Sequence, residues 1–245
     1  VVLGECLRGL WADRGELHRT YAAQVAAERL DPPQKRINAV GAGKHDPVPI
    51  GRKRTQSAIE RGEILQAELR DISRVVTPIE ATKLTFGSRI RNLLITACTE
   101  VEAHCKAILK ANGMQSARSM MDYVKLALPL RLSDYRVSCD RFPDYPEFSP
   151  FGGWGPNSHS LAWYQAYNEV KHDVVVNAHK ATLEHAISAV AAADILVLAQ
   201  WGSHYLDEGG AAPFFGLGDT PTWDAHERNY HPIVEGGWTP VPFKF

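Results

Sequence analysis

The apolar positions of the chain fall at helical spacing in several separate segments. In residues 7–30 they recur every three or four positions, with arginine and glutamate between them, which predicts an amphipathic helix. The prolines of residues 31–33 end this helix because proline has no backbone N–H to donate. Residues 55–76 repeat the pattern and stop at Thr77-Pro78. This second helix carries so many charges that we predict it outside the centre of the core.

The widest apolar stripe covers residues 88–112. Ser88 is predicted as its N-cap, and Asn112-Gly113 as its end. A shorter helix is predicted over residues 116–128, followed by irregular chain with a short strand within residues 130–137.

Two further helices are predicted in the second half of the chain. One covers residues 158–173, with Ser158 or Ser160 as its cap. The other covers residues 182–201 and is apolar on nearly every side, which is typical of a buried helix. We expect the two helices to pack antiparallel.

These elements predict an all-α protein, organised as a helical bundle with additions at both ends. Residues 1–80 form an N-terminal helical extension with a basic linker at residues 34–54, residues 81–201 form the bundle, and residues 202–245 form an irregular tail rich in Gly, Pro and aromatics. The linker is either a solvated connector or an arm that contacts nucleic-acid phosphates. The tail is expected to lie over a surface, which in an oligomer includes that of a partner subunit.

Composition narrows the class of protein. The 245 residues carry a net charge of −1, so any attraction for polyanions must come from local patches. No uninterrupted apolar run approaches the roughly 20 residues of a membrane span, and no secretory signal is visible. We therefore expect a cytoplasmic protein that does not bind membranes. Two of the four cysteines, Cys98 and Cys105, lie seven positions apart on one apolar helix face, which predicts buried free thiols.

Several chemistries have no motif in this sequence. There is no glycine-rich phosphate loop, no HExxH, no GxSxG and no CxxC pair, so neither a metal nor a cofactor is expected. The best candidate chemistry lies in residues 163–173, where Asn168, Lys171 and His172 place an amide, an ammonium and an imidazole within about one helical turn. Such a set suits phosphate handling. The alternative is that His172 is a surface ion-pair partner of the neighbouring carboxylates.

The chain resembles the HEPN superfamily of helical nucleotide-binding domains in three segments. These are the long helix that begins Ser-Arg-Ile-Arg-Asn-Leu-Leu at residues 88–94, the stretch Tyr-Asn-Glu-Val-Lys-His at residues 167–172, and the apolar helix that follows it. The resemblance covers about residues 85–201. It implies a helical bundle, usually a homodimer, and in many members a metal-independent ribonuclease of toxin–antitoxin or antiphage defence systems. His172 matches the family's histidine and Asn168 its polar residue. Tyr167 stands where the family has arginine, so Lys171 is the candidate replacement for the missing cation.

The resemblance implies an RNA or nucleotide ligand, with His172, Asn168 and Lys171 as candidate catalytic residues. Further candidate contacts to RNA or its phosphates are the two arginines near the start of the long helix and two aromatic residues of the motif helix, namely Arg89, Arg91, Tyr167 and Trp163. Glu102, like Glu100, is predicted either to orient the basic cluster or to face solvent. The alternatives are that the two aromatic residues pack in the core and that the two arginines are simply solvated. An alternative for the whole chain is a non-catalytic helical module that binds an antitoxin or another protein.

Overall fold

Four helices pack together in the computed structural model, which describes residues 29–30, 34–35, 48–155, 159–201, 214–219 and 221, with side chains described from residue 57 onward. The bundle helices are α1 (Val48–Ser73), α2 (Ser88–Ala111), α4 (Ala162–His172) and α6 (Leu183–Trp201). The short helices are α3 (Met120–Tyr123) and α5 (Val174–Asn177), and the strands are β1 (Arg29–Leu30), β2 (Gln34–Lys35), β3 (Arg136–Ser138) and β4 (Gly216–Asp219). Helix makes up 61% and strand 6% of the described residues, which confirms the predicted all-α class.

Helices α2 and α6 run parallel at the centre of the bundle. Just before α6 begins, the chain meets the residues that precede α2, where the Leu183 amide donates to the Thr85 carbonyl at 2.8 Å. Near the other ends of the two helices, the His104 and Gln200 side chains lie 3.1 Å apart. Contacts between the two starts and between the two ends require a parallel pair.

Helices α1 and α4 flank this pair and run in the opposite direction. On α1, Arg61 pairs with Glu100 at 2.6 Å, and Glu68, two turns later, pairs with Arg89 near the start of α2 at 2.9 Å. On α4, the Tyr164 hydroxyl near the start of the helix donates to Glu102 in the second half of α2 at 2.8 Å. The flanking helices are therefore antiparallel to both central ones, as predicted for α4 and α6.

Helix α6 lies inside the core on every side. From Ala189 to Gln200 every residue is buried, and small alanines allow the neighbouring helices to approach closely. Its segment Leu183–Gln200 is long and apolar enough to cross a membrane, but 83% of that segment is buried within the bundle. This burial is that of a core helix.

Helix α1 belongs to the bundle more fully than its charge pattern predicts. It begins at Val48, so the last residues of the predicted basic linker are helical. Leu65, Leu69 and Ile72 are buried in the common core. The charged residues between them include Arg61, which pairs with α2, so the polar composition reflects contact with another helix as well as with solvent. The predicted domain boundary at residue 80 separates two helices that pack together.

The ends of the helices differ from prediction mainly at their N-termini. The N-caps of α2 and α4 are Gly87 and Leu161, and neither cap makes a side-chain hydrogen bond, so the predicted serine caps are wrong wherever they are described. The predicted end of α2 is confirmed. Gly113 has φ 91°, a left-handed conformation that favours glycine, and the Met114 amide donates back to Leu109 at 2.9 Å.

Part of the predicted tail is a strand that packs on the bundle. β4 pairs antiparallel with β3, and Phe214 and Phe215 just before it are buried. At Gly216 the Asp140 carboxylate lies against the backbone, so a Cβ atom there would require the exposed Asp140 side chain to move. The predicted helix over residues 116–128 is shorter than expected and consists of α3 and a 3₁₀ turn, and the predicted strand is confined to β3.

Several predictions lie outside the described residues. These are most of the helix at residues 7–30, much of the basic linker, Ser158 and nearly all of the tail after Asp219. The end of the first predicted helix is described and differs, since β1 pairs antiparallel with β2.

Candidate functional site

Helix α4 carries the predicted site and is held in place by its inner face and by its C-terminal end. Its inner face buries Tyr164, Tyr167 and Val170 against the core. At its C-terminal end, Asp173 accepts hydrogen bonds from the Val175 and Val176 amides at 3.1 Å each and so begins α5. The chain therefore turns immediately after His172, and the last turn of α4 is held in place.

Lys171 is the best-defined cation of the site. Its ammonium donates to the Tyr167 hydroxyl at 2.9 Å and lies 5.0 Å from the centre of the Tyr167 ring. The hydrogen bond to Tyr167 raises the pKa of Lys171. Among the described residues no carboxylate lies within ion-pair distance of this ammonium. Lys171 therefore presents an exposed charge that is positioned by a neutral hydroxyl, with Glu102 as an opposite charge beyond ion-pair distance.

A polar cluster on α2 continues from this point. Glu102 accepts a hydrogen bond from the Tyr164 hydroxyl at 2.8 Å and pairs with Lys106 at 3.2 Å. Burial and the contact with Glu102 raise the pKa of Tyr164. The rings of Tyr164 and Tyr167 are 5.4 Å apart, which joins this cluster to Lys171. We call these five residues, Glu102, Lys106, Tyr164, Tyr167 and Lys171, the α2–α4 seam.

Asn168 and His172 lie one helical turn apart on the ridge beside Lys171. His172 is exposed and Asn168 is half-buried. Within the part of the chain that the structure describes, neither side chain makes a hydrogen bond or an ion pair. The structure thus places the amide, the ammonium and the imidazole at one end of α4, but no contact among the described residues joins them.

The two aromatic residues predicted to contact RNA are core residues. Trp163 is 4% exposed, donates to the Pro150 carbonyl at 2.8 Å, and packs edge-on against Phe151. Tyr167 is 2% exposed. A base stacking on either ring would have to displace neighbouring core residues, so their role here is packing, with the Tyr167 hydroxyl also positioning Lys171.

The two arginines predicted to contact phosphate lie near the other end of α2 from Lys106. Arg89 donates to Glu68 on α1 at 2.9 Å and is thereby partly neutralised. Arg91 is half-buried, and its guanidinium makes only a long contact with Asn92 at 3.4 Å. Neither arginine contacts the α2–α4 seam.

A second polar cluster lies on the opposite side of α2, and the sequence analysis largely missed it. Glu100 pairs with Arg61 at 2.6 Å and with the His104 Nε2 at 3.1 Å, so it faces α1 and does not orient Lys171. Burial opposes ionisation of Glu100, but the contacts with His104 and Arg61 outweigh it and lower its pKa. The His104 Nδ1 lies 3.1 Å from the Gln200 amide nitrogen, which only donates, so Nδ1 accepts and Nε2 carries the proton.

Asp194 extends this second cluster along α6. It is buried and accepts from the Gln66 amide at 2.9 Å, while the Gln66 carbonyl oxygen accepts from the Phe214 amide at 3.0 Å. Burial raises the pKa of Asp194 to about 8. We call Arg61, Gln66, Glu100, His104, Asp194 and Gln200 the buried polar network.

The thiols and possible metal ligands show no further site. Cys98, Cys105 and Cys139 are free and buried, and burial raises the pKa of each, to about 12 for Cys139, which confirms the predicted core role of the first two. No group of three or more His, Cys, Asp or Glu side chains within the described ranges is arranged to hold a metal ion.

Comparison of the chain with protein-family models, with curated proteins and with solved structures found no match.

Proposed function

We propose that this chain is a HEPN-like helical protein that binds RNA or a nucleotide at the C-terminal end of α4. The observation that supports this most is the exposed Lys171 ammonium, which is held by the Tyr167 hydroxyl and has no carboxylate partner among the described residues. A fixed charge of this kind attracts a phosphate without first having to break an ion pair. The half-buried amide of Asn168 and the exposed imidazole of His172 lie on the adjoining ridge.

The proposed chemistry is cleavage of RNA by attack of a ribose 2′-hydroxyl on the adjacent phosphate, which forms a 2′,3′-cyclic phosphate, breaks the bond from phosphorus to the 5′-oxygen of the next nucleotide, and moves the hydroxyl proton to that leaving oxygen. His172 is suited to moving the proton, because an imidazole changes charge near neutral pH. Lys171 supplies the positive charge toward which negative charge develops on the phosphoryl oxygens. Tyr167, at the position of the family's arginine, carries no charge itself and instead holds Lys171. A single ammonium lacks the bidentate geometry of arginine, so we expect slow turnover, with binding as the dominant property.

The biological setting that follows from the resemblance is toxin–antitoxin regulation or antiphage defence. In that setting the protein is a homodimer, its partners are RNA and an antitoxin or other protein, and it works in the cytoplasm without a metal or cofactor. These points extend the proposal and depend on it.

The proposal is tested by incubating the purified protein with total RNA in the presence and absence of EDTA. We expect cleavage that survives EDTA and disappears in His172→Ala. His179→Ala is the matched control, because His179 lies in the 3₁₀ turn after α5 and outside the motif helix. RNA that stays intact in both arms rules out the nuclease, and a filter-binding assay on the same samples then decides whether binding alone remains.

A second candidate function is a non-catalytic module that binds another protein. It is favoured by apolar side chains exposed near the same end of the bundle, namely Leu84, Phe86, Val174, Val175 and Val176. Contiguous exposed apolar residues are typical of interaction surfaces. Under this hypothesis, Val175→Asp abolishes partner binding or self-association, measured by light scattering, and leaves RNA affinity unchanged.

A further inference from the structure

Two lysines on different helices lean toward each other along the α2–α4 seam. Helical side chains project toward the N-terminus of their own helix, and α2 and α4 are antiparallel, so side chains at opposite ends of the seam converge. Lys106 lies back over Glu102, one turn before it, at 3.2 Å. Lys171 lies back over Tyr167, one turn before it, at 2.9 Å. Both lysines are exposed to solvent.

Buried tyrosine side chains lie beside both lysines. The Tyr164 and Tyr167 rings are in contact at 5.4 Å, and the Lys106 ammonium lies 5.9 Å from the centre of the Tyr123 ring. The charge of Lys106 lowers the pKa of Lys171, although this effect is smaller than the opposite effects of the Tyr167 hydrogen bond and of the Glu102 charge. Two like charges repel, Glu102 offsets part of this repulsion, and an anion that contacts both ammonium groups offsets more of it.

We infer that Lys106 and Lys171 together hold one phosphate group of a single-stranded RNA across the α2–α4 seam. This inference rests on the proposed function and extends its binding site from α4 onto α2. A phosphate has several acceptor oxygens, so it can accept from both ammonium groups at once. Glu102 opposes the anion and pairs with Lys106 through its Oε2, so the phosphate has to compete with this ion pair.

The direct test is a double-mutant cycle on RNA binding by the full chain. A fluorescent single-stranded RNA of about ten nucleotides, within the usual site size for single-strand binding, is titrated with wild type, Lys106→Ala, Lys171→Ala and the double variant. Each single substitution should weaken binding by about tenfold, and the double variant by little more, because both lysines act on one phosphate. Glu102→Gln should tighten binding, since it removes the competing charge. Lys110→Ala, the next lysine on α2, should leave the affinity unchanged.

Salt dependence supplies an independent measurement. For single strands, the slope of log affinity against log salt changes by about 0.7 for each phosphate that the protein no longer neutralises. The two single variants and the double variant should therefore share one reduced slope. Three results would each overturn the shared phosphate site: affinity reductions that multiply in the double variant, an unchanged affinity in Lys106→Ala, or an equal reduction in Lys110→Ala.

A titration with inorganic phosphate separates this inference from the proposed function. Phosphate should shift the ring resonances of Tyr164 and Tyr167 in the NMR spectrum of wild type, and the shift should vanish in Lys106→Ala and in Lys171→Ala. If phosphate produces these shifts but RNA does not bind, the two-lysine site stands and the proposed function fails. If RNA binds and neither lysine matters, the proposed function survives and this inference fails.

Discussion

The α2–α4 seam and the buried polar network lie on opposite sides of the same helix, and they treat charge in opposite ways. In the buried polar network every charge meets an opposite charge or a hydrogen-bond partner, and most of its side chains are shielded from water. In the α2–α4 seam, Lys171 is exposed, is held by a neutral hydroxyl and has no carboxylate within ion-pair distance among the described residues. Two glutamates of α2, two positions apart, face different regions: Glu100 faces the buried polar network and Glu102 faces the α2–α4 seam.

The difference separates polar residues that hold the fold from polar residues that are available for a ligand. Removing a partner from a buried network leaves another group unsatisfied and costs stability. Removing an exposed cation costs little stability, because water replaces its contacts. Substitutions in the two regions should therefore change different measurements, and the following predictions test that division.

The largest expected effect is the pH dependence caused by Asp194. Its pKa is about 8 in the folded protein, against 3.8 for the ordinary group, so between these values the folded state keeps a proton that the unfolded state has released. Stability from this group is full below about pH 4, falls as the pH rises, and levels off above about pH 8, with a total change of about 6 kcal/mol.

Urea unfolding of wild type and Asp194→Asn at about pH 5, 7 and 9 measures this effect. The asparagine variant should lose less stability over the range and should be the more stable protein at the highest pH. Asp71→Asn, at a partly exposed carboxylate paired with Arg74, is the control and should follow wild type. Parallel pH profiles for wild type and Asp194→Asn would show that Asp194 is not buried as a neutral acid.

The next effect compares two histidines. His104→Ala opens a cavity and removes one buried partner from each of Glu100 and Gln200, so we expect a loss of about 3 kcal/mol. His172→Ala removes an exposed ring and should change stability by less than about 0.5 kcal/mol. Both values come from urea unfolding. RNA cleavage should show the reverse order when it is measured at a temperature where both variants are folded. Equal losses of stability in His104→Ala and His172→Ala would show that the two regions do not differ in their contribution to the fold.

A smaller effect is expected for Tyr167→Phe, which keeps the buried ring and removes the hydroxyl that holds Lys171. Losing one hydrogen bond should cost about 1 kcal/mol of stability. RNA affinity should fall by about fivefold, because Lys171 is no longer positioned. Tyr145→Phe, at another buried tyrosine away from the seam, is the matched control and should leave affinity unchanged. A loss of stability without a loss of affinity would show that the hydroxyl serves packing alone.

The smallest effect is expected for Arg89→Ala. Its partner Glu68 and Arg89 itself are both substantially exposed, and exposed ion pairs contribute about 0.5 kcal/mol or less. Because Arg89 does not reach the seam, RNA affinity should change by less than about twofold. A marked loss of affinity would move the RNA footprint to the start of α2 and would contradict the proposed placement.

The helices could be read from the sequence because their signals are local. The apolar stripe and the terminal Asn112-Gly113 of α2 occur at fixed spacing, and α6 is apolar on nearly all sides. The N-termini of α2 and α4 were missed because their caps, Gly87 and Leu161, make no side-chain hydrogen bond that a sequence pattern would show. Strand β4 was missed because its partner β3 lies far away along the chain, so no local period marks the pair.

Half of the α2–α4 seam could be predicted in the same way. Tyr167 and Lys171 lie four residues apart on one helix, and so do Glu102 and Lys106. The approach of the two pairs depends on how α2 and α4 pack, which no spacing within one helix specifies. The buried polar network was missed for the same reason, since its residues come from α1, α2 and α6.

The opposed directions of the four helices have an electrostatic consequence. Each helix carries a partial positive charge of about half a unit at its N-terminus and an equal negative charge at its C-terminus. At the end of the bundle where α2 and α6 begin, α1 and α4 end, so the aligned peptide dipoles cancel. With a net charge of −1, the backbone and the chain as a whole give a polyanion no long-range attraction. Under the proposed function, capture of a nucleic acid then depends on a few short-range ammonium groups, so the slope of log affinity against log salt should be shallow, about 0.7 for each phosphate that the protein neutralises.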